Sequence, residues 1–376
     1  MNRALIGGIV AACLIGGVGI NQWNSARHQS WLLHASKQAL DQYVSAHPDD
    51  MSAKVRLGRL NVANKDPRGI DLLKAAADAP SEDEAVWFAY VDALIDPSEA
   101  MSKIETYLKV LPESTKLRTA KARRMVELGD PNGALSLADE LIKVSGKNAD
   151  LLRVRADAFM LLRRVNEASD ALQAAIKLDD RAELRLLLAM TLVPQQRYRE
   201  LRDVCLPIVA KGDAGIAEGH AVRARLYLAG AALNLATPVD DIKKTAADLE
   251  DLLTKTAFLE PQEQFLPFYF LGESYLRTGR PADAQRVLTQ AVTMAPQFPA
   301  ALYSLARAVQ ASKDEATAAL LFKRHAKLTS LLSEIDSLST RAQENPSDAV
   351  LAKRLTDVQD SLDNHLKQPL PKLAGN

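Results

Sequence analysis

The chain has 376 residues, of which 47% are hydrophobic, 5% are aromatic and 25% are charged. Lysines plus arginines number 47, and so do aspartates plus glutamates, so the formal net charge is zero. This balance argues against a nucleic-acid binder, because duplex binding depends largely on a basic face. Few aromatic residues, with abundant alanine and leucine, favour closely packed helices over sheet.

The N-terminus begins with a short basic segment, residues 1–3, which is followed by an uncharged run of 17 residues from Ala4 to Ile20. This length is at the short end of what crosses a bilayer as a helix. Trp23 follows, where an interfacial aromatic residue would lie. We therefore expect an uncleaved transmembrane anchor over residues 4–22 and a juxtamembrane linker over residues 23–35.

Two other interpretations of this N-terminus stay open. A cleaved signal peptide needs small residues before its cleavage site, and Gly17 and Gly19 meet that need weakly. The stretch "VAAC" (10–13) resembles the lipobox of bacterial lipoproteins, with Cys13 as the lipidated residue. However, the apolar run continues after Cys13, whereas a lipidated cysteine normally opens into polar sequence.

The orientation of the anchor follows from its layout. A short basic start before an apolar run favours the bulk of the chain outside the cytoplasm, so we expect a single-pass inner-membrane protein with a periplasmic body. Arg3 precedes the run while Arg27 and Lys37 follow it, so the charge bias is nearly flat and a cytoplasm-facing body is the alternative.

The anchor also carries small residues at four-residue spacing, Gly8, Ala12 and Gly16. They share one helix face, which would let two anchors pack closely as a homodimer. The alternative is that small residues merely fill a short span.

Helix-pair patterns begin after the linker. Pro48, Pro80 and Pro112 recur every 32 residues, each after an apolar-periodic run. The intervening segments, within residues 36–114, predict degenerate helix pairs in which Gly58 and Ala89 supply the small residue. Two more regular pairs follow over residues 115–182.

The stretch 183–262 is less regular, because Met190 lies where a small residue is expected and Pro194 and Pro207 break the pattern. We expect helices over residues 216–236 and 239–257. Regular pairs return over residues 265–332, and they define the pattern best. Counting from Phe265, the small residues Gly272, Ala284 and Ala291 fall at positions 8, 20 and 27, and Pro296 falls at position 32.

This spacing resembles the tetratricopeptide repeat closely. At positions 8 and 20 the two antiparallel helices of such a repeat approach so closely that only Gly or Ala fits, so Gly272 and Ala284 should face each other. The same frame recurs from Pro299, Thr115 and Ala149. The resemblance implies an all-α, right-handed superhelical solenoid of about eight helix pairs in one continuous array.

In this family the first helix of each repeat lines a concave groove. The resemblance therefore implies a groove that binds other proteins or peptides, with these candidate partner-binding residues on its surface: Arg123, Arg153, Asp157, Tyr269, Glu273, Arg277, Tyr303 and Arg307. Tyr269, Glu273, Tyr303 and Arg307 lie on adjacent helices and form the best single candidate, because Tyr and Arg often anchor interfaces. Ordinary solvated charge is the alternative, and Glu273 with Arg277 has the spacing of a common helical pair.

The C-terminal region predicts a cap. The second helix of the last repeat has no clear breaker, and a further helix follows Pro346. Leu351, Leu355, Val358 and Leu362 form an apolar seam that can face Leu331, Ile335, Leu338 and Ala342. We expect a helical hairpin cap over residues 333–366, with a dimerising coiled coil as the alternative, and a disordered tail over residues 367–376.

The function expected from these features is a membrane-anchored scaffold or adaptor that assembles or chaperones a cell-envelope complex. A cytoplasm-facing adaptor that regulates envelope biosynthesis is the first alternative, and an accessory domain of an envelope enzyme is the second. No catalytic motif stands in a plausible context, the six histidines are scattered, and Cys205 fits a buried helical position. We expect no catalytic residue, no cofactor and no metal.

Overall fold

The computed structural model describes residues 27–32, 34–63, 66–79, 83–210, 218–235, 238–345 and 347–373. All regular secondary structure in these ranges is helical. The chain divides into two compact units, one ending at Leu178 and the other beginning at Asp179. Within each unit, consecutive helices pack against each other, as expected for a repeat protein of the tetratricopeptide type.

Residues 27–32, within the predicted juxtamembrane linker, are helical. After them, the described residues of the first unit form one leading helix and four helix pairs. Each pair packs on the next through a core of leucine, alanine and aromatic side chains. The leading helix is α1 (Lys37–Ala46), and the pairs are α2 (Met51–Ala63) with α3 (Arg68–Ala77), α4 (Glu84–Ala93) with α5 (Pro97–Val110), α6 (Thr115–Glu127) with α7 (Pro131–Ser145), and α8 (Ala149–Leu161) with α9 (Val165–Leu178).

The second unit contains four pairs and a final helix among its described residues. Two short 3-10 helices, Leu253–Phe258 and Pro261–Glu263, separate the second pair from the third. The helices are α10 (Ala182–Leu192), α11 (Tyr198–Ala210), α12 (Glu218–Asn234), α13 (Val239–Leu252), α14 (Leu266–Arg277), α15 (Pro281–Met294), α16 (Pro299–Ala311), α17 (Glu315–Glu344) and α18 (Ala349–Leu366).

One turn geometry joins the two helices of five pairs. In the turn between α14 and α15, Gly279 has a φ of 74°, and the Arg280 amide donates to the Tyr275 carbonyl at 2.8 Å. A residue in the left-handed conformation turns the chain so that the amides after the helix donate hydrogen bonds to the last carbonyl groups of the helix. The equivalent left-handed residues of the other pairs are Gly129, Arg163, Gln196 and Lys313. Because three of the five are not glycine, glycine spacing alone does not reveal this turn.

The crossing of α14 and α15 is as close as the sequence predicts, and its nearest contact is with Leu288. A Cβ atom built on Gly272 would lie 2.3 Å from Cγ of Leu288, so the Leu288 side chain fills the space beside this glycine. Ala284 is itself fully buried. The pair thus packs a large residue into the space left by a missing side chain, which is the usual interdigitation of closely packed helices.

The pair α10 and α11 is a repeat in a frame one residue earlier than the sequence pattern predicts. Ala189 is fully buried, whereas Met190 is exposed, so Ala189 is the small residue of the crossing. Pro207 lies inside α11 and does not end it, since α11 continues to Ala210. The buried face of α11, which includes Cys205, holds the helix in place despite the hydrogen bond that Pro207 removes.

The C-terminal hairpin forms through the eight apolar residues that the sequence brings together. They make one cluster between α17 and α18. The four residues on the α17 side belong to a single helix of 30 residues. The cluster consists of Leu331, Ile335, Leu338, Ala342, Leu351, Leu355, Val358 and Leu362.

The segment after α18 departs from the expected disordered tail. Residues 367–373 lie against the repeats, and Leu373 is only 8% exposed within the core cluster of this unit. The guanidinium of Arg324 donates to the carbonyl oxygens of Gln368 and Pro369. The polar, proline-rich composition of the segment does not predict this contact, because the partner atoms belong to α17, more than forty residues earlier in the chain.

The features predicted for the membrane anchor at the N-terminus are not tested by the structure. The predicted anchor over residues 4–22, its alternatives at Cys13, Gly17 and Gly19, and the small-residue face all lie outside the described residues. Among the residues that are described, no helix is long and apolar enough to cross a membrane.

Candidate functional site

The first helices of successive pairs contact one another in each unit. In the first unit α2, α4, α6 and α8 make these contacts in order, and in the second unit α10, α12, α14 and α16 do so. We call the surface that these helices form the inner face of each unit. All eight candidate residues lie on first helices, which places them where the repeat pattern predicts.

Glu273 and Arg307 form the centre of the candidate site in the second unit. The Nη1 atom of Arg307 lies 3.4 Å from Oε1 of Glu273, and the hydroxyl of Ser304 donates to the same oxygen. The Glu273 side chain is 13% exposed and that of Arg307 is 42% exposed. Glu273 therefore ties α14 to α16, and the helical pair with Arg277 expected from the sequence is replaced by this contact between repeats.

Tyr269 is mostly covered by the repeat that follows it. Its ring makes an edge contact with Phe298, with centroids 5.3 Å apart, and a tilted contact with Phe270. Burial raises the pKa of Tyr269 to about 12, and the nearby charge of Glu273 acts in the same direction. The hydroxyl stays neutral at physiological pH and serves as a packed polar group.

Tyr303 occupies the corresponding position one repeat later and is 45% exposed. One side of its ring packs against α17, with centroid distances of 5.6 Å to Phe322 and 5.3 Å to His325. A ring that is held on one side and open on the other can add apolar contact area at low entropic cost. We call Tyr269, Glu273, Tyr303 and Arg307 the inner-face patch; Arg277 is exposed one helical turn beyond Glu273.

The candidate residues of the first unit are engaged within the chain. Arg123 pairs with Asp92 of α4, and its side chain is 17% exposed. Arg153 lies 3.7 Å from Asp157 within α8. These three residues lie on the inner face but belong to existing ion pairs, so a ligand would have to share or replace those contacts.

The first unit also has a hollow in its inner face that the sequence pattern did not reveal. Its volume is about 340 Å³, and it spans first helices of four successive pairs. We call it the basic hollow, since its lining includes Arg59, Lys116 and Arg123 beside Phe88. One signal could have found Arg59: it follows Gly58 as Glu273 follows Gly272, and so takes the same repeat position.

A buried polar cluster fixes the irregular part of the second unit. Oε1 of Glu263 accepts hydrogen bonds from Nη2 of Arg223 at 2.9 Å and from the hydroxyl of Tyr227 at 3.0 Å. Burial raises the pKa of Tyr227 above its ordinary value. The cluster ties the second 3-10 helix to α12, which is a structural role.

The described residues contain no group of three or more His, Cys, Asp and Glu side chains that could hold a metal ion. Cys205 is fully buried, and burial raises the pKa of its thiol to about 12. A thiol in that state is neither a nucleophile nor a ready metal ligand.

The family model described as tetratricopeptide repeat matches residues 119–198 and 269–330. These segments are tetratricopeptide repeats. They overlap the regular pairs of both units and include α10, the helix whose frame the residue pattern misplaced. Repeats of this kind mediate contacts with other proteins or peptides, and the second matched segment contains the whole inner-face patch.

Several solved structures are similar to this chain but share little sequence with it. The YrrB structure, described as a TPR protein with an unusual peptide-binding site, is 14% identical with a TM-score of 0.43, covering 54% of this chain and 96% of its own. PilW, a type IV pilus biogenesis factor, is 15% identical with a TM-score of 0.44, covering 65% and 99%. A repeat protein from Parabacteroides merdae is 14% identical with a TM-score of 0.42, covering 73% and 96%. No curated protein matches the sequence.

Proposed function

We propose that this protein is a membrane-anchored adaptor that binds segments of other proteins on the inner face of its repeats. It would thereby assemble or chaperone a cell-envelope complex on the periplasmic side. The binding part rests on one observation: within the inner-face patch, Tyr303 and Arg307 are exposed while Tyr269 and Glu273 are held by the chain itself. Tyr and Arg are the residue types that most often anchor protein interfaces, and here the exposed Tyr303 and Arg307 lie beside two residues that the chain holds in place.

The chemistry of the patch favours a partner segment that offers both an apolar side chain and a carboxylate. The open side of the Tyr303 ring provides apolar area, and Arg307 keeps donors beyond the one directed at Glu273. An extended or helical peptide lying across α14 and α16 could contact both groups, as in other groove-binding modes.

Photocrosslinking would test this binding site directly. A photoreactive phenylalanine analogue at position 303 should crosslink to a partner protein in membranes, while the same analogue at position 320 should not. Leu320 is the matched control because it is also exposed, but it lies on α17, a second helix. Equal crosslinking at both positions, or none at position 303, would count against the inner face.

The membrane part of the proposal rests on the uncharged run from Ala4 to Ile20. The intact mass of membrane-extracted protein should include residues 1–20. A mass that lacks the first 12 residues and carries a lipid would instead establish lipidation at Cys13.

Protease added to spheroplasts tests the orientation of the anchor and should digest the repeats. Full protection of the repeats would place them in the cytoplasm and favour the regulatory adaptor. The proposal assigns no catalytic step to the chain.

A further inference from the structure

A cleft of about 730 Å³ lies beside the segment that follows α18. One wall is the end of α15 with Pro296 and Arg324, and the other wall is the segment itself. The lining consists of Thr289, Val292, Thr293, Pro296, Arg324, Leu366 and residues 368–373. The segment covers the surface next to this open space, where it contacts Arg324 and the apolar core. We call the covered surface and the open space beside it, taken together, the tail cleft. It belongs to the second unit, and none of its lining residues is in the inner-face patch.

Arg324 holds the segment by its backbone. Its Nη2 atom donates to the Gln368 carbonyl at 2.7 Å, and its Nη1 atom donates to the Pro369 carbonyl at 2.9 Å. The carbonyl of Arg324 itself accepts from Nε2 of His365 at 3.2 Å, and His365 is buried. Burial lowers the pKa of Arg324, so the guanidinium is partly desolvated and depends on these two carbonyls. Contacts to main-chain oxygens are available to any extended chain.

The segment itself has the chemistry of an extended peptide ligand. Pro369 and Pro371 lack amide hydrogens and fix φ, which disfavours helix and favours the polyproline conformation. That conformation has three residues per turn, so Leu370 and Leu373 fall on one side. Both belong to the apolar core cluster of the second unit, to which α12 to α18 contribute: Leu373 is 8% exposed and Leu370 is partly buried. The segment thus combines two leucine anchors with a backbone clamp.

We propose that the tail cleft is a docking site for an extended, proline-containing segment of another protein with leucines three residues apart, and that the chain's own residues 367–373 cover part of it as a competing ligand in cis. This site is separate from the inner face and does not depend on the function proposed for that face. Leaving the cleft requires no helix to unfold, because the segment is tethered only through α18. The tether supplies an effective concentration on the order of millimolar, so a partner must compete with it.

A direct titration can test the proposal. The probe is a fluorescently labelled peptide with the sequence of residues 367–376, and binding is followed by anisotropy. The full chain carrying Leu370→Asp with Leu373→Asp should release its own segment and bind the peptide in the micromolar range. The unaltered chain should bind it at least tenfold more weakly. Adding Arg324→Gln to the released chain should weaken binding at least tenfold, whereas adding Tyr303→Ala should leave it unchanged.

Several results would overturn this assignment. If the released chain keeps its melting curve but does not bind the peptide, the segment is only a structural cap. Equal binding by the released and unaltered chains, or binding indifferent to Arg324→Gln, would contradict competition in the cleft. If the two aspartates lower the melting temperature, the titration is repeated on a chain ended at Lys367. An unaltered chain that is a dimer, and that the two aspartates convert to a monomer, would place the segment in a second copy instead.

Discussion

Tyr269 and Tyr303 occupy the same position in two successive repeats, yet the structure treats them differently. The following repeat covers Tyr269 through Phe298 and Ser304, whereas Tyr303 has Phe322 and His325 on one side and is 45% exposed. The difference lies in what comes next along the chain. After the repeat 299–332 the chain continues as the long helix α17, and α18 packs along its far half.

This comparison shows how one repeat position can serve two purposes. A residue facing the next repeat is core when that repeat is present, and it is available to a partner when the array gives way to a cap. We therefore expect a substitution at this position to affect folding in the covered repeat, 265–296, and to affect binding in the last repeat, 299–332.

The largest expected effect comes from the closest crossing in the covered repeat. Gly272→Leu should reduce the free energy of unfolding by about 3 kcal/mol, the upper end for overpacking, because a Cβ atom there already meets Leu288 at 2.3 Å. Thermal melting would measure this change. Gln290→Leu, at an exposed position on α15, is the control and should change stability by less than about 0.5 kcal/mol. A Gly272→Leu chain more stable than the wild type would refute the crossing.

The two tyrosines allow a direct comparison. Tyr269→Ala should cost about 2–3 kcal/mol, somewhat less than a fully buried aromatic residue, because its ring is mostly but not completely covered. Tyr303→Ala should cost less than about 0.5 kcal/mol. Chemical denaturation with both variants would measure the difference. Equal losses would show that Tyr303 is as much a core residue as Tyr269.

Sequence spacing predicts those features that depend on the period of the repeat. Gly272, Ala284, Ala291 and Ala306 are all buried where the pattern places small residues, and the eight residues of the C-terminal seam form one cluster. Such positions are constrained by backbone approach, which recurs in every pair and therefore leaves a periodic trace.

Features that depend on contacts between distant side chains produce no periodic pattern in the sequence. Ser304 and Arg307 both reach Glu273 from another helix, and Arg324 holds a segment more than forty residues away. The one-residue frame error at Met190 has a similar origin. Ala189 and Met190 are adjacent, and in an alanine- and leucine-rich helix only packing decides which of them faces α11.

The pH dependence of stability should report the burial of Tyr269. Tyr269 has a pKa of about 12 in the folded chain because of burial. Tyrosine in an unfolded chain titrates near about 10. Between these values the unfolded state loses its proton first, so the stabilisation present below pH 10 is lost as the pH rises toward 12.

The loss attributable to Tyr269 should be on the order of 2 kcal/mol, since each unit of pKa difference corresponds to about 1.4 kcal/mol. Tyr269→Phe keeps most of the packing and removes the titrating hydroxyl, so its stability should fall less between pH 10 and pH 12. Other buried tyrosines, including Tyr107 and Tyr275, contribute their own losses in both chains. Parallel curves for the two chains would mean that Tyr269 is not buried as described.

The measurement that tests the central claim most directly is partner capture by a chain altered only in the exposed half of the inner-face patch. Tyr303→Ala combined with Arg307→Ala should leave the circular dichroism melt nearly unchanged and weaken pull-down of the main partner at least tenfold, since truncated interface anchors typically cost about 2 kcal/mol or more. The matched control is Leu320→Ala with Arg286→Ala, which removes one exposed apolar side chain and one arginine from second helices. Capture by the control should equal that of the wild type. Undiminished capture by the Tyr303 and Arg307 variant would contradict binding through the inner face.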